Sequence, residues 1–160
     1  MNEQSLYQFL HDLAARINFI VVSCAKQKIW DRLPEAGPTP AKDAYISTYF
    51  RLCRGFAEKY GTSWAVFSAK HGIIPPDFII RENYDVSFKR QRSPFPATRL
   101  YRQLAEMNIK KFDRVVFLGG KSYYKKLEQV CRHLDCSLHN PLTHLFIGQR
   151  MKLLKSVLEI

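Results

Sequence analysis

Apolar positions along the chain follow two rhythms. Leu6, Phe9, Leu10, Leu13, Ala14 and Ile17 recur every three or four residues, the spacing of one helical face, and Asn18 then leads into the unbroken apolar run Phe19-Ile20-Val21-Val22. This pattern predicts a helix feeding a buried strand. Beyond a polar, Pro-rich stretch (Pro34, Gly37, Pro38, Pro40), Tyr49, Leu52, Cys53, Phe56, Ala57 and Tyr60 form the stripe of a second helix that stops at Gly61, and Trp64 to Phe67 form the next strand. Ser68 to Pro96 reads as a long irregular segment, because Pro75-Pro76 and Pro94 forbid a regular helix through it. Leu100, Leu104 and Met107 mark a third helix, and Arg114 to Leu118 a third strand. Gly119-Gly120 turns that strand into a helix with Tyr123, Tyr124, Leu127, Val130, Cys131 and Leu134 inward. A short strand near Cys136-Ser137-Leu138 precedes a last helix carrying Ile147, Met151, Leu154 and Leu158.

Strands that alternate with helices and are apolar on both faces predict a mainly parallel sheet covered on both sides. The expected architecture is α/β, a single three-layer α/β/α domain over residues 1–160, and 160 residues at 46% hydrophobic suit one core. Right-handed crossovers gather the loops after successive strands at one sheet edge, where ligands bind in such folds. The loops to inspect are therefore 23–42, 68–96, 119–122 and 139–148. No run of 18 apolar residues occurs, and Met1-Asn2-Glu3-Gln4 is no secretory leader, so membrane and secreted classes are not expected. Cys24, Cys53, Cys131 and Cys136 form no Cys-x-x-Cys pair and lie in apolar segments. They read as buried thiols of a reducing cytoplasm, with neither a metal site nor a cofactor.

Charge narrows the partner. Lys and Arg number 25 against 14 Asp and Glu, a formal +11, which points to a polyanion and first to nucleic acid. From Lys89 to Lys111 the basic residues Lys89, Arg90, Arg92, Arg99, Arg102, Lys110 and Lys111 meet one acid, Glu106.

The four loops carry the candidate chemistry. Ser23-Cys24-Ala25 places small residues directly after a strand, where a ligand can approach the backbone, and either Lys26 or Lys28 supplies charge. Cys24 has no adjacent base and reads as a packed thiol rather than a nucleophile. Ser68-Ala69-Lys70-His71-Gly72, followed by Glu82-Asn83-Tyr84-Asp85, concentrates titratable groups where a site belongs. Lys70 and His71 suit phosphate binding or proton donation, and Asp85 is the candidate carboxylate for activating water or stabilising a cation. Gly119-Gly120-Lys121-Ser122 sits at a strand-to-helix junction that favours an anion, without the spacing of an ATP or NAD loop.

The fourth loop, His139-Asn140-Pro141-Leu142-Thr143 running on to Gly148, resembles the second motif of uracil-DNA glycosylases. That motif enters the minor groove and stabilises the departing base. A wider pattern is Ser23-Cys24 with Lys26, Tyr45 with Ser47 and Phe50, Ser68 to Gly72, Tyr84-Asp85, Gly119-Gly120 and Pro141. It is similar to a small prokaryotic and phage family of formerly unknown function. That family resembles the glycosylase-like domain of archaeosine tRNA enzymes and the bacteriophage replication inhibition DNA glycosylases, anti-phage proteins that excise glucosylated hydroxymethylcytosine. The resemblance implies a uracil-DNA-glycosylase-like fold and monofunctional base excision that leaves an abasic site, acting on double-stranded and modified phage DNA. One departure stands out: the loop from Ser23 to Lys28 lacks the water-activating Asp or Asn of uracil-DNA glycosylases, so Asp85 or Asp31 takes that place or the chemistry differs.

On this reading Asp85 stabilises the sugar cation and orients water, while His139, or Lys70 with His71, receives the departing base. Ser23, Cys24, Lys26, Tyr45, Ser47, Lys70, His71, Tyr84 and Asn140 are the expected substrate contacts, with Trp30, Tyr45, Phe50 and Tyr84 as walls of a flipped-base pocket. Lys89, Arg90, Arg92, Gly119, Gly120, Lys121 and Arg150 are expected at DNA, with Leu142 or Phe146 as a wedge in the base stack. Two other classes stay open. One is a non-catalytic nucleic-acid-binding module linked to tRNA modification, and the other an N-ribosyl hydrolase or transferase acting on a nucleotide.

Overall fold

The computed structural model describes residues 3–87 and 96–160. Lys89, Arg90 and Arg92 lie outside the described residues. The chain runs α1 (Glu3–Ala14), β1 (Asn18–Ser23), α2 (Ile29–Arg32), β2 (Thr39–Pro40), α3 (Ala41–Ala44), α4 (Thr48–Tyr60), β3 (Ser63–Ser68), β4 (Gly72–Ile74) and β5 (Ile79–Ile80). After the undescribed stretch come α5 (Ala97–Glu106), a 3-10 turn (Ile109–Lys111), β6 (Arg114–Leu118), α6 (Lys121–Leu134), β7 (Leu138–His139) and α7 (Ile147–Leu158).

The main sheet has the order β4-β3-β1-β6-β7. β1 pairs in parallel with β3 and with β6, and β6 in parallel with β7; only β4 runs antiparallel, against β3. Alternation along each strand separates two cores, as a period of two requires. Ile20, Val22, Val66, Val116 and Leu118 face α1, α4 and α7, whereas Phe19, Val21, Ala65, Phe67, Val115 and Phe117 face α5 and α6. Register holds the division, since Val21 lies opposite both Ala65 and Phe117. The architecture is thus α/β, with a mainly parallel central sheet between two helical layers.

The segment expected to be irregular carries order of its own. Gly72, at φ +78°, reverses the chain so that β4 returns along β3, pairing Ser68 with Gly72 and Val66 with Ile74. Gln103 of α5 clasps this reversal, donating Nε2–H to His71 O at 3.0 Å and accepting from Ile73 N–H at 2.9 Å. A Cβ on Gly72 would collide with that same Gln103 side chain. Further on, β5 forms a two-stranded antiparallel ribbon with β2 of the Pro-rich loop, which ties the first and second candidate loops together.

Candidate functional site

Along the parallel strands the chain moves from β1 outward to β3, then crosses back to β6 on the other side of β1. A crevice opens where the order reverses, at the carboxyl ends of β1 and β6. Here the two strand exits nearly touch: a Cβ on Gly119 would lie 2.6 Å from the Ser23 Cβ and 2.5 Å from the Phe117 ring. Glycine at this position is the condition for the crevice to close so tightly.

A cavity of about 300 Å³ occupies the crevice, lined by Cys24, Ala25, Lys26, Lys28, Asp85, Val86, Ser87 and Tyr123. Beside it a hollow of about 340 Å³ is lined by Lys26, Asp31, Asn83, Tyr84 and Asp85. Lys26 and Asp85 border both, so one carboxylate and one lysine are common to the two hollows. The second carboxylate in these linings, Asp31, holds the wall. It accepts the Lys28 backbone N–H at 2.8 Å and the Asn83 Nδ2–H at 3.1 Å, and those hydrogen bonds hold its carboxyl below the usual range.

Tyr84 organises the floor. Its hydroxyl bonds to that of Tyr45 and, at 2.9 Å, to Ser68 Oγ, which in turn accepts the Lys70 and His71 backbone N–H groups at 3.2 and 3.1 Å. The Lys28 ammonium nitrogen sits 4.2 Å from the Tyr84 ring centroid and that of Lys70 5.4 Å, with the His71 ring edge-on at 5.4 Å. Burial pushes the Tyr84, Tyr45 and Tyr123 phenols well above the ordinary range, so all three act as neutral hydroxyls. Cys24 Sγ lies 3.3 Å from Tyr123 OH, and burial pushes its thiol up as well, which makes it a packed thiol and not a thiolate. Burial and the Lys70 charge hold the His71 imidazole below its usual value, and its Nε2 is buried without a hydrogen-bond partner.

Lys28 was only an alternative to Lys26 in the sequence, and the structure makes it distinctive: 4% exposed, its Nζ donates to Lys26 O at 3.0 Å. Burial lowers its pKa, with Cys24, Asp31 and Asp85 opposing that shift. Tyr123, read from the sequence as an inward helix residue, is also part of the cavity wall.

Several expected contacts are engaged within the fold. Ser47 caps α4, its Oγ accepting Phe50 N–H at 3.1 Å. Tyr45 and Phe50 are core residues, each 1% exposed, and Trp30 is buried with its indole N–H on Gly37 O, so none of the three offers a stacking face. Leu142 is packed into the core at 3% exposure and is not a wedge, whereas Phe146 stands 82% exposed at the start of α7. Arg150 donates to Leu145 O at 2.8 Å and Gly119 O at 3.2 Å, fastening α7 to the β6 exit. Ser23 Oγ donates to Cys24 O at 3.3 Å. Gly120 is the N-cap of α6, where it and Lys121 are exposed.

His139 is not gathered with Asp85. It lies on β7, bonds Ser137 Oγ at 2.9 Å, and feels Arg114, Arg16 and Asp12, which together with burial hold its pKa down. Asn140 follows it with a buried Oδ1 that lacks a hydrogen bond. Neither lines the two hollows. Among the described residues no group of three or more His, Cys, Asp or Glu is placed to hold a metal, and no helix is long and apolar enough to cross a membrane.

Residues 19–156, from β1 into α7, match the family of unknown function DUF6884. The uncharacterized protein YfjM of Bacillus subtilis (strain 168) is 39% identical over 111 residues, which cover 69% of this chain and 74% of that protein. No solved structure matches. The matched span includes every element that builds the crevice, and on its extent the chain belongs to the DUF6884 family.

Proposed function

We propose that the protein is a DNA glycosylase of uracil-DNA-glycosylase-like fold, which flips out a modified base and hydrolyses its N-glycosidic bond. Its substrate on this reading is glucosylated hydroxymethylcytosine in double-stranded phage DNA, and its role anti-phage defence in the cytoplasm. The observation that carries the proposal is Asp85, a carboxylate bordering two adjoining hollows beside Lys26 at the carboxyl ends of the parallel strands. Breaking an N-glycosidic bond builds positive charge on the deoxyribose and negative charge on the base. A carboxylate and a cation on one rim match that separation, and Asp85 also orients the attacking water. Two joined hollows offer room for a base and for an appended sugar. Support also comes from the motif resemblance and from the +11 charge.

In this mechanism Asp85 faces the sugar and Lys26 meets the departing base. Tyr84, held by Tyr45 and Ser68, keeps the floor fixed. His139 is left out of the chemistry, because its neighbours lie away from the crevice.

The test is incubation with phage DNA carrying the glucosylated base, beside matched unmodified DNA, followed by abasic-site detection. Abasic sites are expected in modified DNA alone, and Asp85→Asn lowers their rate by about 10²–10³-fold, the scale of losing one transition-state electrostatic group. Salt-sensitive binding to both DNAs without abasic sites would instead indicate a binding module. Cleavage of free nucleotides but not of DNA would indicate an N-ribosyl hydrolase.

A further inference from the structure

Among the groups that the glycosylase mechanism leaves unused is a buried amine. Lys28 is 4% exposed, yet it lines the crevice cavity together with Asp85 and Lys26. Lysine is rarely buried without an ion-pair partner, since withdrawing an ammonium from water is expensive. None of the ion pairs among the described residues includes Lys28. Its Nζ has one acceptor, the Lys26 carbonyl at 3.0 Å, and lies 4.2 Å from the Tyr84 ring centroid. The backbone around it is fixed too: Lys28 N–H donates to Asp31 at 2.8 Å, and Lys28 pairs with Tyr45 in an isolated antiparallel bridge. The nitrogen is thus held at the cavity wall by a backbone carbonyl and a ring face, and the Asp31 and Asp85 charges act on it without forming an ion pair. That is the setting in which lysine serves as an amine nucleophile toward carbonyl carbon. The lowering of its pKa by burial acts in the same direction, toward the neutral amine.

We propose that Lys28 is a nucleophile that captures the ring-opened aldehyde of an abasic deoxyribose as an imine, giving the site a reversible covalent hold on the product of base excision. This rests on the glycosylase reading, because the aldehyde is that reaction's product. The neutral Nζ adds to C1′, and one of the nitrogen's protons passes to the aldehyde oxygen through the Asp85 carboxylate, giving a neutral carbinolamine. Its hydroxyl then leaves as water, taking the nitrogen's remaining proton through the Asp85 carboxylate, and the nitrogen lone pair completes the C=N bond. Addition of water reverses the sequence and frees Lys28, so no further reactant is needed.

The experiment uses a synthetic duplex with a single preformed abasic site, so it does not depend on which base the protein excises. The full chain is incubated with it in the presence of a borohydride reductant, and the trapped adduct is mapped by mass spectrometry. The expected result is an adduct on Lys28, kept in Lys26→Arg and lost in Lys28→Arg, which preserves the cation but forms no imine. A melting curve on each variant establishes that it is folded. An adduct on any other lysine, no adduct at all, or an adduct that persists in Lys28→Arg overturns the proposal. If modified phage DNA yields no abasic sites while the duplex still traps Lys28, the glycosylase reading fails and the nucleophile stands. Abasic sites without an adduct give the reverse.

Discussion

At the scale of single residues, the site is a set of polar groups whose neighbours decide their protonation. His71 shows how this becomes a stability effect. Burial, Lys70 and Arg99 hold its pKa below the ordinary value of 6.5, and its Nε2 has no acceptor waiting for a proton. The unfolded chain therefore binds a proton more readily than the folded one over the pH range just below that value. The resulting stabilisation is complete above about pH 6.5 and is lost as the pH falls from there toward the folded value. Urea midpoints at about pH 7.5 and about pH 5.5 should fall on acidification in the wild type, and by less in His71→Gln. That window lies above the titration of carboxylates such as Asp12 and Asp31. His139 contributes with the same sign, so the variant removes part of the fall and not all of it. An unchanged fall would mean that His71 takes up its proton in the folded state as easily as in water.

At the scale of elements, the sequence was most legible where the apolar period is carried by many residues. Tyr49 to Tyr60 and Tyr123 to Leu134 form α4 and α6, and the unbroken runs at 19–22 and 114–118 form β1 and β6. The short pieces escaped because their cause is tertiary. Gly72-Ile73-Ile74 is too brief to show a period, and β4 exists through the turn at Gly72 and the clasp of Gln103, some thirty positions away. β7 falls at Leu138–His139 rather than 136–138, as an edge strand paired on one side only. Asn18, which the pattern marked only as the residue before the strand, joins three elements. Its Nδ2 donates to Leu13 O at 2.6 Å and Arg16 O at 3.0 Å, and its Oδ1 accepts Arg114 Nε–H at 2.9 Å, with the residue fully buried. Asn18→Leu removes three hydrogen bonds, one of them the acceptor of the buried Arg114 Nε–H, and is expected to cost about 2–4 kcal/mol by urea unfolding. Because this knot sits at the amino ends of β1 and β6, activity per folded molecule should be unchanged; a selective loss of activity with normal stability would place Asn18 in the function instead.

At the scale of the whole molecule, the fold sorts what the sequence ran together. The sequence put Asp85 in the long loop after β3, and the fold carries that loop back so that Asp85 lines both hollows. Lys28 was not singled out, since burial of its nitrogen depends on Tyr84 and Tyr45, residues 56 and 17 positions on. Nothing in the alternation of residues told Leu142 from Phe146, because which one turns inward is settled by the loop's path into α7. Charge is redistributed in the same way. Lys110 and Lys111, part of one basic stretch in sequence, lie on the 3-10 turn before β6 and so at the amino edge of the sheet. Arg99 begins α5 at the opposite end, close enough for its charge to act on His71. Lys121 is exposed at the start of α6, beside the crevice. DNA docked over the crevice should therefore meet Lys121 and not Lys110 or Lys111. A lysine that neutralises a phosphate releases about one counterion, so removing its charge lowers the salt dependence of binding by that amount. Lys121→Gln is expected to weaken duplex affinity and lower the slope of log affinity against log salt by about 1, whereas Lys110→Gln with Lys111→Gln leaves the slope unchanged. The reverse order of effects would put the DNA on the amino edge, away from Asp85, and would remove the whole crevice from the chemistry of a bound duplex.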